Sequence, residues 1–480
     1  MAVSSDEIEV LVRGRRTALA RRAIAAFLRK HRRDADAVLT ACDWFRRLGL
    51  PAQGFRLVAP GLQLRKSGPL TLDESRMRLW AARFLNLMGA PELALPLLDR
   101  LELRTAEEFR VAGVIHLTDY EPAAALRCFD RMEALAADDW GYPMRLARLS
   151  RADALCALGR TEAALRLVAE IFARTSEPLL RAICRQAEGE FLARSGDWAN
   201  AIGPLREAET LFPPGDRTAD MGVLQKWLGY VHARAELGAK ARSAFAQARA
   251  ILESPKLRPE AWLEIRRLEA EAGLLTAEER VRLAYYPGVS PGFRRQLGPV
   301  PPFDFGVDAA SAQLRIDLAA DEWREPSGRW RLGLPRELRL LGAVGVTGPW
   351  GLNTLKAKCL LWPGEVHSFL QLEDRLQQLL RRLRERWRMP IAVREGVIRL
   401  SPGAQLSVRA GGESWPHFLA SAPRITPKSL GRYYGIGRTR AQSWLGRWCK
   451  EGREALPRCS KAHVVRTGHG GYSLEPCALS

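Results

Sequence analysis

One short signature recurs along the first half of the chain and limits what that half can become. An apolar helical stretch ends in Gly, a second helical stretch follows at once, and a small residue stands five positions after the Gly. It reads WFRRLGLPAQGF around Gly49, FLNLMGAPELAL around Gly89, ALCALGRTEAAL around Gly159 and FLARSGDWANAI around Gly196. A looser copy, HARAELGAKARSAF, surrounds Gly238, and IHLTDYEPAAAL carries Asp119 where the others have Gly. Successive marks lie 40, 30, 40, 37 and 42 residues apart. The Gly lets the first helix end in a left-handed turn. Gly54, Ala94, Ala124, Ala164 and Ala201 then let the second helix pack closely on the first. Repetition at this period means a stack of helix pairs, each burying its face on the next. The spacing predicts six units within residues 1–283, opened by a basic, Ala-rich helix from Arg13 to Arg33.

The Leu-Gly turns, the alanines after them and the aromatics before them (Trp44, Phe84, Phe191) resemble a tetratricopeptide array. The family repeat is about 34 residues, so the uneven spacing here marks degenerate repeats. The resemblance implies a curved α-solenoid whose surface takes a protein or peptide partner.

A length of 480 residues exceeds what one core organises and suggests about three domains. The net charge of +20 is spread unevenly. Residues 331–480 hold 25 Lys and Arg against 10 Asp and Glu, leaving +5 for the first 330. Of the 74 basic residues 64 are Arg, a bias that a GC-rich genome alone produces, so the distribution is the stronger signal. Positive charge gathered at one end is the electrostatic footprint of a nucleic-acid reader.

Residues 284–312 read as a linker, because Pro287, Pro291, Pro299, Pro301 and Pro302 forbid a long helix. Residues 313–408 read as an α+β unit. LRIDL and GRWRLGL alternate as strands; ELRLLGAV, GLNTLKAKCLLWPGE and SFLQLEDRLQQLLRRLRERWR are helical; IAVR and VIRL form a hairpin around Glu395-Gly396. On the third helix Leu372, Leu376, Leu379, Leu383 and Trp387 share one side. Arg375, Gln378 and Arg382 line the other, flanked by Arg381 and Arg384. Helix, helix, basic helix, hairpin is the order of a winged helix. The unit resembles the C-terminal winged helix of two-component response regulators and of related bacterial activators joined to tetratricopeptide domains. Leu361-Trp362-Pro363-Gly364, Arg382-Leu383-Arg384 and Arg394 to Leu400 carry that likeness. It implies that Arg375, Gln378, Arg381, Arg382 and Arg394 contact DNA. In those activators the winged helix commonly comes before the repeats; here it comes after. A fragment starting near Gln313 is expected to fold without the repeats.

Residues 409–424 read as a connector and 425–480 as a second reader. Thr426 caps a helix with Pro427 in its first turn, Gly435 ends it, and Ala441, Trp444, Leu445 and Trp448 mark one apolar face of the next. The opposite face presents Arg438, Thr439, Arg440, Gln442, Ser443 and Arg447, types that bond phosphates and base edges. The stretch resembles the bacterial helix-turn-helix form, with Gly437 where a Ser or Thr cap is usual. HVVR and GYSL, separated by TGHG, fit a second wing that carries Arg466.

Eight cysteines contain no CxxC pair and read as reduced thiols; Cys449, Cys459, His463 and Cys477 match no metal spacing. No Walker loop, HExxH or kinase HRD motif is present, so no catalytic residue, cofactor or metal is expected. No leader or membrane-length apolar run is found. The expected protein is mainly α, a solenoid followed by two small winged-helix or helix-turn-helix domains. The expected function is that of a cytoplasmic, nucleoid-associated transcriptional regulator, with double-stranded DNA and a protein or peptide as partners. The alternative is a non-enzymatic scaffold whose repeats and winged helices bind proteins. Homo-oligomerisation, operator and sign of regulation stay open.

Overall fold

A computed structural model describes residues 4–410 apart from 15, 32–33, 64–70, 100, 137–138, 213–218, 253–258, 287–292, 294–302, 308–310, 319–321, 327, 329–330, 333–335, 363–370, 395 and 402–403, together with the backbone of 462–466 and 472–476. Two opening helices, α1 (Ser5–Arg13) and α2 (Thr17–Lys30), precede seven antiparallel pairs. These are α3 (Ala35–Arg47) with α4 (Pro51–Val58), α5 (Leu72–Leu87) with α6 (Pro91–Leu98), and α7 (Ala106–Thr118) with α8 (Pro122–Leu135). Then come α9 (Tyr142–Ala157) with α10 (Thr161–Ala173), α11 (Pro178–Arg194) with α12 (Trp198–Leu211), α13 (Ala219–Arg234) with α14 (Gly238–Leu252), and α15 (Pro259–Glu271) with α16 (Ala277–Ala284).

One turn joins every pair. Its left-handed residue is Gly49, Gly89, Tyr120, Gly159, Gly196, Glu236 or Gly273, with φ between +59° and +88°. The next residue donates its backbone N–H to the carbonyl five positions back: Leu50 to Phe45, Ala90 to Leu85, Glu121 to His116, Arg160 to Leu155, Asp197 to Leu192, Leu237 to His232, and Leu274 to Glu269. All seven bonds measure 2.8–2.9 Å and satisfy a carbonyl that the helix end leaves without a donor. Three expectations are corrected. Tyr120, not Asp119, takes the left-handed position in the third pair, so the fully buried small residue there is Ala125 and Ala124 is half-buried. Glu236, not Gly238, makes the sixth turn, and a seventh turn at Gly273 extends the array. The backbone bond, rather than the side chain, defines the turn.

Packing repeats with the turns. Seven residues before each turn, and five and nine after it, stand Cys42/Gly54/Val58, Ala82/Ala94/Leu98, Gly113/Ala125/Phe129, Ala152/Ala164/Val168, Gly189/Ala201/Leu205 and Gly229/Ala241/Phe245, all buried. Two small residues and one large one let the paired helices close up. A Cβ on Gly113 would lie 2.7 Å from the Phe129 ring, and one on Gly189 2.5 Å from Leu205. The seventh pair breaks the pattern: Arg266, Glu278 and Arg282 occupy the same three places.

That substitution coincides with the junction to the C-terminal region. There β1 (Phe303–Gly306), β2 (Leu314–Asp317), β3 (Glu322–Arg324), β4 (Arg331–Leu332) and β8 (Leu406–Ala410) form a sheet in the order β1-β8-β2-β3-β4, with β2 and β8 parallel and the other neighbours antiparallel. Helices α17 (Arg336–Thr347), α18 (Thr354–Leu361) and α19 (Gln371–Arg386) follow. A small antiparallel sheet has the order β5 (Leu352–Asn353), β7 (Val397–Leu400), β6 (Ile391–Arg394). β9 (Ala462–Arg466) pairs antiparallel with β10 (Tyr472–Pro476).

The stretch expected as a linker carries structure. Tyr285, Tyr286 and Phe293 are buried, the Phe293 ring lies 5.1 Å from that of Tyr120, and β1 pairs with β8. Proline density excluded a long helix there but not a strand. A fragment beginning at 313 would leave β8 without β1. The connector expected at 409–424 likewise begins inside β8. One apolar core joins α3–α7, the last helix pair and the C-terminal region, whereas the middle pairs have two cores of their own.

Candidate nucleic-acid interface

The candidate surface is built on α19. Leu372, Leu376, Leu379, Leu380 and Leu383 recur at helical spacing and are at most 1% exposed. They pack in the core with Leu338, Leu341 and Val344 of α17. Burying five leucines fixes the helix's rotation and turns Arg375, Gln378, Arg381, Arg382, Arg384 and Arg386 outward. The residues expected on the open face are there. Trp387, expected among the leucines, is half-buried and meets Trp323 edge-on at 5.1 Å.

Local ion pairs set this face. Arg381 pairs with Glu385 one turn on at 2.7 Å, and Arg382 reaches Glu337 of α17 at 3.1 Å. Arg384 donates from Nε to the Ile391 carbonyl at 3.0 Å, tying the helix to the hairpin. Near the start of α19, Glu373 pairs with Lys358 of α18. Burial opposes ionisation of Glu373, but hydrogen bonds from Lys358 and Gln377, with Arg56 of α4 nearby, hold its carboxyl below the usual value.

The hairpin stands beside the helix. Its turn uses Gly396 at φ +76°, β5 pairs with β7, and the Thr354 N–H donates to the Gly396 carbonyl. Arg394 and Arg399 are exposed. They border a shallow depression of about 250 Å³ with Ala392, Val397, Leu400 and Ser401. Arg399, which the sequence reading passed over, donates to the Pro349 and Trp350 carbonyls at 3.3 and 3.4 Å. The signal for it was the one cation in the strand VIRL. Arg375, Gln378, Arg381, Arg382 and Arg394 thus belong to one α+β unit. Arg438, Thr439, Arg440, Gln442, Ser443 and Arg447 lie outside the described residues, as do Cys449, Cys459 and Cys477. Arg466 ends β9, opposite Tyr472.

The turn Gly348–Trp350, between α17 and β5, is where the array holds this unit. Arg282 donates from Nη1 to the carbonyls of Val346, at 2.6 Å, and Gly345, at 3.3 Å. The Tyr286 hydroxyl donates to the Gly351 carbonyl at 3.0 Å. Trp262 meets Trp350 edge-on at 5.2 Å, with the Arg266 guanidinium also 5.2 Å from the Trp350 ring.

No family model matches this chain. No curated protein matches it either. Among solved structures it is similar to a tetratricopeptide repeat protein from Parabacteroides merdae, with TM-score 0.40 and 16% identity over 55% of this chain and 96% of that one. It is similar too to a Rap protein complexed with competence and sporulation factor, with TM-score 0.41 and 15% identity over 61% of this chain and 95% of that one. At these scores the likeness adds nothing to what the seven turns establish: a mainly helical array of tetratricopeptide-like pairs with a small α+β region after it. Among the described residues no helix is long and apolar enough to cross a membrane.

Proposed function

We propose that this chain is a transcriptional regulator in which the C-terminal region reads duplex DNA and the helical array is the platform for a protein or peptide partner. The observation that carries the reading is the order α17–β5–α18–α19–β6–β7, with β5 closing on the hairpin as in a winged helix. Its third helix buries a leucine face and opens an Arg/Gln face. In the major groove Arg favours guanine and Gln adenine, so Arg382 and Gln378 supply base contacts while Arg375, Arg381 and Arg394 hold the backbone. Residues 425–480 add a second, unlike reader through Arg438, Thr439, Arg440, Gln442, Ser443 and Arg447, with Arg466 on its wing. Two unlike helices in one chain suit an asymmetric site, not the palindrome of a symmetric dimer.

One observation favours the alternative of a protein-binding scaffold: Arg381 and Arg382 already hold carboxylates of the same unit. Selection of genomic fragments with the full-length protein, followed by titration across salt, separates the two. Each neutralised phosphate contributes about −0.9 to the log–log slope. Arg382→Ala is expected to relax preference at one element of the selected site and Gln442→Ala at another, each by about 1–3 kcal/mol. Affinity that stays flat with salt rejects the DNA reading.

A further inference from the structure

The strongest charged feature outside the C-terminal region is α2 and its flanks. From Arg13 to Arg33 the chain holds nine Lys and Arg and no Asp or Glu. Residues 1–60 carry 12 basic and 6 acidic side chains, which exceeds the whole +5 of the first 330 residues. The rest of the array is therefore close to neutral, and many of its arginines sit on carboxylates: Arg76 on Asp36, Arg83 and Arg110 on Glu107, Arg151 on Asp130, Arg194 on Asp153. Helix α2 differs. Ala20, Ala23 and Ile24 bury its inner face, while Arg16, Arg21, Arg22, Arg29 and Lys30 are exposed. None of those five has an ion pair among the described residues. Arg22 and Arg29 stand seven residues apart, two turns along one side of the helix.

The position of α2 matters as much as its charge. It packs in one small core with α1 and α3, and α3 pairs with α4. Phe55 and Val58 of α4 share one apolar core with Leu372 and Leu376 of α19, which places this end of the array on the side where α19 starts; Arg56 there helps keep Glu373 ionised. Helices pack at about 8–10 Å between axes, so the three steps from α2 through α3 and α4 to α19 span some ~24–30 Å. That is within one turn of a duplex, about 34 Å.

We infer that α2 is a second DNA-contacting surface, a phosphate clamp that holds the duplex flanking the segment read by α19. The occupant is the sugar–phosphate backbone, because the face spreads cations along two turns with no Asn or Gln among them, a pattern that matches regularly spaced phosphates. The inference rests on the DNA-binding reading above and adds to it a site in the array.

The test uses the full-length protein, a selected duplex and fluorescence anisotropy over a salt series. Arg22→Gln with Arg29→Gln is expected to reduce the log–log slope by about 2, from ~0.9 per phosphate contact, with sequence preference unchanged. Arg22→Lys with Arg29→Lys is expected to restore it, since phosphate contact needs charge and not a guanidinium. If the wild type binds with a steep slope and the Gln pair leaves that slope intact, the clamp is refuted and the DNA reading survives; α2 then faces solvent or an acidic protein. A loss in the Gln pair that the Lys pair does not restore also refutes it, because packing would be the cause. No duplex binding by the wild type refutes both readings together.

Discussion

Arg282 is the side chain whose removal should show how the array and the C-terminal region are joined. It stands where the other helix pairs place an apolar packing residue, and its side chain is only 10% exposed. Its guanidinium serves the carbonyls of Val346 and Gly345 at the end of α17, pairs with Glu278, and lies 4.8 Å from the centre of the Phe305 ring. In Arg282→Ala a buried carbonyl and a part-buried one lose a donor, at about 1–3 kcal/mol each. The contact with Phe305 adds about 0.5–1 kcal/mol. The expected loss is therefore about 2.5–7 kcal/mol, localised at the junction. The assay is urea unfolding followed by far-UV circular dichroism and by tryptophan fluorescence. The helical array dominates the first signal, and Trp262 against Trp350 gives the second a junction component. The wild type should show coincident transitions. In Arg282→Ala the fluorescence transition should come first, and Arg282→Lys, which retains one donor group, should fall between. Coincident transitions within about 0.5 kcal/mol of wild type, the scale of an ordinary surface substitution, would refute the view that Arg282 holds the two parts together.

Two further outcomes follow from packing and charge in the array. Gly189→Ala places a methyl 2.5 Å from Leu205 and 3.0 Å from the Ala201 carbonyl. Overpacking of about 1–3 kcal/mol should outweigh the helix-propensity gain of about 1 kcal/mol, and a raised melting temperature would refute the close approach. Glu264 resists ionisation through burial, yet Lys226, Arg267 and Arg194 bring its pKa down from 4.5 to about 2. Since the folded pKa lies below the unfolded one, this group's stabilisation is full above about pH 4.5 and is lost as pH falls toward 2. Glu264→Gln should flatten that acid limb. It should also cost about 3–5 kcal/mol at neutral pH, because it strands Lys226, which is 3% exposed. An acid limb unchanged from wild type in chemical-denaturation curves would show that Glu264 does not supply it.

How much was legible depended on whether a side chain announced the backbone. Five of the seven turns carry Gly, and the four that the sequence reading marked fall where expected. Tyr120 and Glu236 adopt the same conformation without announcing it, which shifted two marks and moved one packing residue from Ala124 to Ala125. The seventh pair was missed because Glu278 stands five positions after Gly273, where the signature has a small residue. The alternation in LRIDL, the leucine spacing of α19 and the Glu395-Gly396 hairpin were readable because local periodicity alone sets them. β1 was not, since a strand among prolines is specified by its partner β8, about a hundred residues later. Nor did the sequence show that Arg382 and Arg384 are engaged within their own unit, because those partners depend on how α17 and the hairpin meet α19.

The core shared by α3–α7, the last helix pair and the C-terminal region changes the mechanics of the array. An open solenoid behaves like a row of dominoes: its end units see one neighbour, and stability is a sum that frays from the tips. Here the row is strapped. Arg56 and Tyr120 face the C-terminal side from the early units, through Glu373 and Phe293, and Arg282 grips it from the last. Closing such a loop adds contacts between residues some three hundred positions apart, which slows assembly and makes unfolding more nearly all-or-none. A partner that bends the array must therefore strain the strap, so pitch in the repeats and posture of α19 are one mechanical variable.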